Sequence, residues 1–259
     1  MTVNWIELDG LVNLRDVGGT PTVDGGQIRS GRLLRSDNLQ DLSSADIERL
    51  LQIGLTDVVD LRSTFEVTSE GPGPLHAHDG RVNFHHYSFL VEEDSDTADD
   101  IIDRAMPTHD VDELRSKIDD HFAASYVGFL HKRPESVLGA LRAIAHADGA
   151  ALVHCAAGKD RTGITVAMAL MLAGADRQAV VDDYAASRER MEQIVARLRS
   201  TETYAHLHHE PVSSHMTHPE SMDAFLGFLE DAHGGVEPAL SAIGWTPADT
   251  EAMRRHLRD

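Results

Sequence analysis

The run His154-Cys155-Ala156-Ala157-Gly158-Lys159-Asp160-Arg161-Thr162-Gly163 decides the fold around which this chain is built. An apolar segment at residues 150–153 precedes the run and is typical of a buried strand. Another at residues 164–172 follows it and is typical of a buried helix. A loop between such a strand and helix points backbone N–H groups and a helix N-terminus into one concavity, which suits a phosphate dianion. We therefore predict a strand–loop–helix unit that binds an anion.

The chain has one cysteine, Cys155, and it stands six residues before Arg161. The positive field of the predicted loop favours a thiolate, the nucleophilic form of the side chain. Arg161 can offer a planar fork of donors to two phosphoryl oxygens. The alternative is an inert core cysteine and a surface arginine. A purely structural loop has no need for Cys, Gly, Lys, Asp, Arg and Thr-Gly together, so the functional interpretation is favoured.

Three further motifs precede this loop in a fixed order along the chain. They are Asn-Leu-Arg-Asp-Val-Gly-Gly at residues 13–19, Gly-Arg-Leu-Leu-Arg-Ser at residues 31–36 and Asp-Leu-Arg-Ser at residues 60–63. Together with the C-x5-R spacing of the loop, they resemble the cysteine-dependent phosphatases of protein tyrosine phosphatase type. The pattern is most similar to the bacterial tyrosine phosphatases of the mycobacterial phosphatase B group. The resemblance spans residues 13 to about 190 and is loose beyond.

Strand patterns at residues 56–61, 82–87 and 150–154 alternate with helical ones. This alternation favours an α/β fold with a mostly parallel sheet flanked by helices, and its sites lie at the carboxyl ends of the strands. We expect residues 1–259 to form one phosphatase domain. Residues 90–131 form an insertion, first acidic and then helical, which the resemblance implies is a lid over the active site. The alternative is an extra helix packed beside the core.

The resemblance implies that Cys155 attacks phosphorus and forms a phosphocysteine that water later hydrolyses. The expected phosphate-binding residues are Ala156, Ala157, Gly158, Lys159, Asp160, Arg161 and Thr162. Thr162 is also expected to hydrogen-bond the thiolate, and His154 to brace the loop. No metal or cofactor is expected, because arginine and backbone amides can neutralise the developing charge.

The general acid is the least determined part of the predicted site. No aspartate stands at the end of the strand before the insertion, where many tyrosine phosphatases hold theirs. Asp160, inside the loop, is therefore the first candidate, with loop orientation as its alternative role. Glu92 and Asp60 are the reserves, since either could approach the pocket.

Four charged residues upstream are expected to support the loop: Arg15, Asp16, Asp60 and Arg62. They could form a buried ion network beneath it, and for the two aspartates this structural role is favoured over substrate contact. Lys159 adds a cation, which in the family accompanies activity on phosphoinositides. A solvent-exposed lysine would give the same sequence pattern.

The net charge of −20 argues against nucleic acid as a partner and against broad docking to anionic membranes. No apolar run is long enough for a membrane span, no signal peptide is visible, and a lone cysteine suits the cytoplasm. Five histidines at positions 206, 208, 209, 215 and 218 follow no familiar metal-ligand spacing and are expected to lie in a polar loop.

These features predict a metal-independent phosphatase acting on phosphotyrosine proteins, with inorganic phosphate as a product. Dual specificity or a phosphoinositide substrate is the main alternative. A phospho-binding pseudophosphatase is a remote one, because Cys155, Asp160 and Arg161 are all present. Arsenate-reductase chemistry is disfavoured because no resolving cysteine exists. An inositol polyphosphate substrate would need a more basic pocket.

Overall fold

A mixed sheet forms the centre of the computed structural model, which describes residues 3–92 and 118–258. Its strands are β1 (Asn4–Trp5), β2 (Arg15–Asp16), β3 (Leu33–Ser36), β4 (Leu55–Asp60), β5 (Asn83–His86) and β6 (Ala150–His154). Their order across the sheet is β1-β2-β3-β6-β4-β5. The four strands from β3 to β5 run parallel, and β1 and β2 add an antiparallel edge. The predicted mostly parallel α/β sheet is thus confirmed.

Helices cover both faces of this sheet. The α-helices among the described residues are α1 (Ser44–Ile53), α2 (Thr64–Glu70), α3 (His121–Lys132), α4 (Pro134–Ala145), α5 (Asp160–Leu172), α6 (Arg177–Ala186), α7 (Met191–Arg199), α8 (Pro219–His233), α9 (Val236–Ser241) and α10 (Pro247–Leu257). Short 3₁₀ helices lie at Pro74–His78, Ser187–Arg190, Ala205–His209 and Val212–His215. None of the helices in residues 3–92 and 118–258 has the length and apolar character to cross a bilayer.

Strand β6 shows how the core is divided between the two faces. Successive side chains of a strand point to opposite faces of the sheet. Ala151 and Val153 accordingly join the larger apolar core, beneath α3, α4 and α5. Ala150 and Leu152 join a second core beneath α1. Because β6 is buried on both faces and lies between β3 and β4, the loop that follows it starts from a firmly held position.

Capping boxes begin two of the helices. The Ser43 side chain accepts from the N–H of Asp46, and the Asp46 carboxylate accepts from the N–H of Ser43, so a capping box begins α1. Thr246 and Asp249 form the same arrangement at α10. Residues 22–26 form a turn that is flanked by an isolated bridge between Pro21 and Gln27.

Most of the predicted insertion, residues 93–117, lies outside the described residues. The described remainder includes α3, whose Ala123, Val127 and Leu130 are buried in the larger core. Helix α3 packs closely against α8, and its aromatic residues reach the site described below. In its described part the insertion is therefore a packed helix, and the lid stays a prediction.

Candidate active site

The loop of residues 155–159 joins β6 to α5 and requires a glycine at its turn. Gly158 has a φ of 67°, in the left-handed region that other residues adopt at a cost. A Cβ atom there would lie 2.3 Å from the carbonyl oxygen of Ser36. The loop is thus pressed directly onto the end of β3, and only a residue without a side chain fits.

The outward side of the loop is held by hydrogen bonds to its carbonyl groups. The carbonyl of Ala156 accepts from the N–H of Asn38 at 3.0 Å. Asn13 Nδ2 donates to the carbonyls of Ala157 and Gly158 at 2.9 and 3.1 Å, and Arg35 Nη2 donates to Gly158 at 2.9 Å. Since a peptide group points its N–H opposite to its carbonyl, this arrangement turns the loop N–H groups inward, as an anion site needs.

A cavity of about 410 Å³ opens on the inward side of the loop. Cys155, which is 2% exposed, lies at its base. Its polar lining includes Lys159, Asp160 and Arg161, and its apolar walls include Phe122, Met191, Ile194, Leu198, Tyr204 and Leu207. His121, Glu210, Ser214 and His215 add polar groups to the lining. The cavity thus combines a thiol, two cations and two carboxylates with walls that suit an apolar substrate group.

Arg161 is held by a buried carboxylate that sequence reasoning missed. Its Nη1 and Nη2 donate to the two carboxylate oxygens of Glu66 at 2.6 and 3.0 Å, and Nη1 also reaches the carbonyl of Leu61 at 3.3 Å. Tyr204 donates to the same carboxylate. Burial alone would raise the pKa of Glu66, but the Arg161 charge and these hydrogen bonds hold it below its usual value. Both Nη groups are thereby engaged, because Nη2 also lies 3.5 Å from the Tyr204 hydroxyl, and Nε is the guanidinium nitrogen that has no partner among the described residues.

Asp160 and Lys159 lie side by side at the start of α5. The Lys159 Nζ lies 3.4 Å from Asp160 Oδ2, donates to the His215 carbonyl at 2.8 Å and lies 5.7 Å from the ring centre of Phe122. The other Asp160 oxygen, Oδ1, accepts from Tyr126 at 2.5 Å. Lys159 is therefore a buried and partnered cation, not the exposed lysine of the alternative interpretation.

His154 lies between the loop and β4. Its Nδ1 lies 3.3 Å from the Cys155 carbonyl oxygen and its Nε2 lies 3.7 Å from Asp60 Oδ2. Burial lowers the pKa of His154 to about 4, so the ring is neutral at pH 7. A buried neutral ring with these two neighbours fits the predicted bracing role.

The four upstream charged residues do not form one network, which corrects the expectation. Arg62 pairs with Asp60 at 2.7 Å, beside His154. Arg15 instead pairs with Asp183 at 2.9 Å, on the side of the loop that carries Arg35. Asp16 joins neither pair and accepts from the N–H groups of Gly18 and Gly31. Neighbours in a strand point to opposite faces, so Arg15 and Asp16 of β2 cannot both turn to the loop.

The Arg15–Asp183–Arg35 cluster connects α6 to the loop. Arg35 Nη1 donates to Asp183 at 2.6 Å, and its Nη2 donates to the carbonyl of Gly158. Burial alone would raise the pKa of Asp183, but the charges of Arg15 and Arg35 hold it below its usual value. The ionised Asp183 therefore fixes the arginine that holds the loop.

Replacing Asp183 should destabilise the fold strongly. Asp183→Asn leaves two buried guanidinium groups without a counter-charge, which we expect to cost about 3–5 kcal/mol in the free energy of unfolding. Urea denaturation would measure it. The matched control is Asp182→Asn, an exposed neighbour on the same helix, for which about 0.5 kcal/mol or less is expected. Equal effects of the two substitutions would contradict the role of the cluster.

The reserve candidates for the general acid are engaged elsewhere. Glu92 accepts from the N–H groups of Thr64 and Phe65, both at 2.9 Å, at the start of α2. Burial opposes the charge of Asp60, yet the positive charge that His154 gains below about pH 4 and the hydrogen bonds and charge of Arg62 hold the pKa of Asp60 well below the usual range. Neither carboxylate is among the residues that line the cavity, so both reserves fit structural roles.

Two further expectations concern Thr162 and the histidines. The Thr162 hydroxyl is buried and makes no hydrogen bond within residues 3–92 and 118–258, so its predicted bond to the thiolate is not formed in this state. His206, His208, His209 and His215 lie in two 3₁₀ helices, and His215 Nε2 lies 3.2 Å from Glu210. The described residues contain no group of three or more side chains suited to hold a metal ion.

Comparison with known proteins identifies a family. A family model described as "Tyrosine phosphatase family" matches residues 6–259. The "Triple specificity protein phosphatase PtpB" of Mycobacterium tuberculosis is 36% identical over 212 residues, which cover 74% of this chain and 72% of that protein. A putative tyrosine-protein phosphatase of Cupriavidus necator is 32% identical over 188 residues, 73% of this chain and 64% of that protein.

A solved structure also matches. The crystal structure of P. aeruginosa TpbA matches over 78% of this chain and 92% of that chain, with 17% sequence identity and a TM-score of 0.34. That score is too low to support an inference about this chain.

Proposed function

Because this chain belongs to the tyrosine phosphatase family, we propose that it hydrolyses phosphomonoesters through Cys155 and acts on phosphotyrosine in proteins. The observation that carries the proposal is the cavity that both Cys155 and Arg161 line, beside a loop whose carbonyl groups are bonded on the opposite side. Donors placed in this way stabilise the charge of a phosphoryl group in its transition state.

The proposed reaction has two steps. The Cys155 sulfur attacks phosphorus in line, an S–P bond forms, the bond to the leaving oxygen breaks, and Asp160 gives its proton to that oxygen. In the second step water attacks the phosphocysteine, Asp160 takes a proton from the water, and inorganic phosphate leaves as the Cys155 thiolate is restored. Asp160 suits this role because it lines the cavity, whereas Asp60 and Glu92 do not.

The walls of the cavity favour an aryl phosphate. Phe122, Ile194 and Leu198 surround the approach to Cys155 with apolar surface that a phenol ring can cover. Lys159, the residue that would read a second phosphate of a phosphoinositide, already donates to the His215 carbonyl and lies near Asp160. A lipid substrate would have to break these contacts, so phosphotyrosine is the first choice.

A comparison of three substrates tests this proposal. The kcat/KM would be measured on a phosphotyrosine peptide, the same peptide with phosphoserine, and a short-chain phosphatidylinositol monophosphate, with EDTA present and Cys155→Ser as the blank. We expect the phosphotyrosine peptide to lead by about tenfold or more, within the range that an apolar pocket can discriminate. Equal or better turnover of the lipid would contradict the substrate choice, and binding without turnover would indicate a pseudophosphatase.

A further inference from the structure

Two buried tyrosines stand in line behind Asp160. The hydroxyl of Tyr126, on α3, donates to Asp160 Oδ1 at 2.5 Å and lies 2.7 Å from the hydroxyl of Tyr184, on α6. Both rings are fully buried, whereas the Asp160 side chain is 22% exposed and lines the cavity. A chain of hydroxyl groups thus runs from the interior to the candidate general acid.

The protonation of the two tyrosines determines which group donates in each of these hydrogen bonds. Burial raises the pKa of both Tyr126 and Tyr184, and the nearby Asp160 charge raises both further, so both hydroxyls keep their protons. A carboxylate can only accept, so the single hydroxyl proton of Tyr126 is directed to Asp160. Tyr184 must then donate to the oxygen of Tyr126.

Packing holds the Tyr126 hydroxyl in place. Its ring meets the rings of Tyr184 and Phe225 edge-on, with centres 6.3 and 6.0 Å apart. The ring of Tyr184 lies against α5 at Gly163, where a Cβ atom would approach it to 2.8 Å. Neither hydroxyl can swing away without disturbing three helices, so the donor that Asp160 meets is fixed.

We propose that Tyr126 is a positioning residue for Asp160: its hydroxyl occupies Oδ1, so that the acidic proton is carried by Oδ2, the oxygen on the Lys159 side. This inference rests on the proposed function. When Oδ2 gives its proton to the leaving oxygen, the Oδ2–H bond breaks and negative charge builds on the carboxylate. The bond from Tyr126 strengthens as that charge develops, so it favours the proton-transfer step.

The dependence on the leaving group tests the role of Tyr126. Phenyl phosphate needs a proton on its leaving oxygen, whereas dinitrophenyl phosphate has a leaving group that departs unprotonated. For Tyr126→Phe we expect kcat/KM on phenyl phosphate to fall about tenfold, as for a lost hydrogen bond to a charged group. On dinitrophenyl phosphate a change of about twofold or less is expected, since that reaction does not use the acid.

A double-mutant cycle makes the test specific to Asp160. Asp160→Asn should lower kcat/KM on phenyl phosphate further than Tyr126→Phe does. The double variant should then lie about twofold or less below Asp160→Asn alone. Tyr204→Phe is the matched control, because Tyr204 also donates to a buried carboxylate at the cavity, on the Arg161 side. Tyr204→Phe should lower kcat/KM by the same factor on both substrates, because Arg161 binds the phosphoryl group whatever the leaving group is.

Two results would overturn the inference. One is an equal loss by Tyr126→Phe on both substrates, and the other is full additivity of Tyr126→Phe with Asp160→Asn. If Tyr126→Phe does not fold, Tyr184→Phe, which keeps the Tyr126–Asp160 bond, decides instead: a loss of about threefold confined to phenyl phosphate supports the inference, and its absence overturns it. Failure of the proposed function would look different, because the wild-type protein would then show no Cys155-dependent turnover of either substrate.

Discussion

Cys155→Ser is expected to lower kcat by about 10⁴-fold or more on any substrate of this protein, because removing a catalytic nucleophile has effects of this size. A serine hydroxyl is not ionised at neutral pH, and the neighbouring His154 is engaged with the Cys155 carbonyl and Asp60. Steady-state turnover of a phosphotyrosine peptide would measure the loss.

Binding should survive this substitution. The loop N–H groups and Arg161 are held by Asn13, Arg35 and Glu66, and none of these contacts uses the thiol. The affinity of Cys155→Ser for inorganic phosphate, measured by calorimetry, should therefore stay within about threefold of the wild-type value. Turnover above about one hundredth of wild type would contradict the assignment of Cys155 as the nucleophile, because removing a catalytic nucleophile lowers kcat by far more than this factor.

Arg161→Lys is expected to lower kcat/KM by about 10²–10³, the usual effect of losing a donor to the transition state. A lysine can pair with Glu66 or with the phosphoryl group, but its single ammonium cannot present one edge to each. Both Nη groups of the guanidinium donate to Glu66, and in the proposed function the Nε–H group is the donor that meets the substrate. Kinetics on a phosphotyrosine peptide would measure the loss.

The lysine variant is preferable to Arg161→Ala, because alanine would leave the buried charge of Glu66 unpaired and confuse stability with catalysis. The matched control is Arg142→Lys, which changes another arginine paired with a carboxylate, that of Asp249, and neither residue lines the cavity. Its kcat/KM should be that of the wild type. A loss on Arg161→Lys no larger than on Arg142→Lys would show that Arg161 does not act on the substrate.

The loop was predictable because its determinants are local. Strand β6, the turn at Gly158 and helix α5 lie within residues 150–172, and the pattern of each is visible in the sequence. The sheet was predictable for the same reason, and the predicted strand at residues 56–61 differs from the observed Leu55–Asp60 by one residue at each end. The antiparallel edge was missed, since β1 and β2 have two residues each and leave almost no periodic signal.

The residues that hold the site in place were not predictable, because they reach it across long stretches of chain. Glu66 contacts Arg161 from 95 residues away, and Asp183 contacts Arg15 from 168 residues away. The spacing Ser63-x-x-Glu66 indicates a helix start, and the structure confirms a capping box there. Nothing in that spacing shows that the carboxylate also meets an arginine. A buried charge is a property of the tertiary fold and gives no local pattern.

Tyr126 illustrates what a helical pattern in the sequence can predict and what it cannot. The sequence predicts that the second part of the insertion is helical, and Tyr126 lies fully buried on a helix there, α3. The pattern does not reveal that the hydroxyl meets Asp160 and Tyr184, because α3, α5 and α6 come together only in the folded chain. The best signal for such a role is a tyrosine among aliphatic core positions, since a buried hydroxyl needs a partner.

Trapping the phosphoenzyme would test the proposed chemistry most directly. The wild-type protein would be mixed with a phosphotyrosine peptide, quenched with denaturant at alkaline pH within the first turnover, where the S–P bond persists, digested and analysed by mass spectrometry, with Cys155→Ser treated alongside. We predict one phosphoryl group on the sulfur of Cys155 in the wild-type protein and none in the variant. Full turnover with no phosphoryl group on Cys155 at any quench time, or the same group on the variant, would contradict a cysteine-based phosphatase.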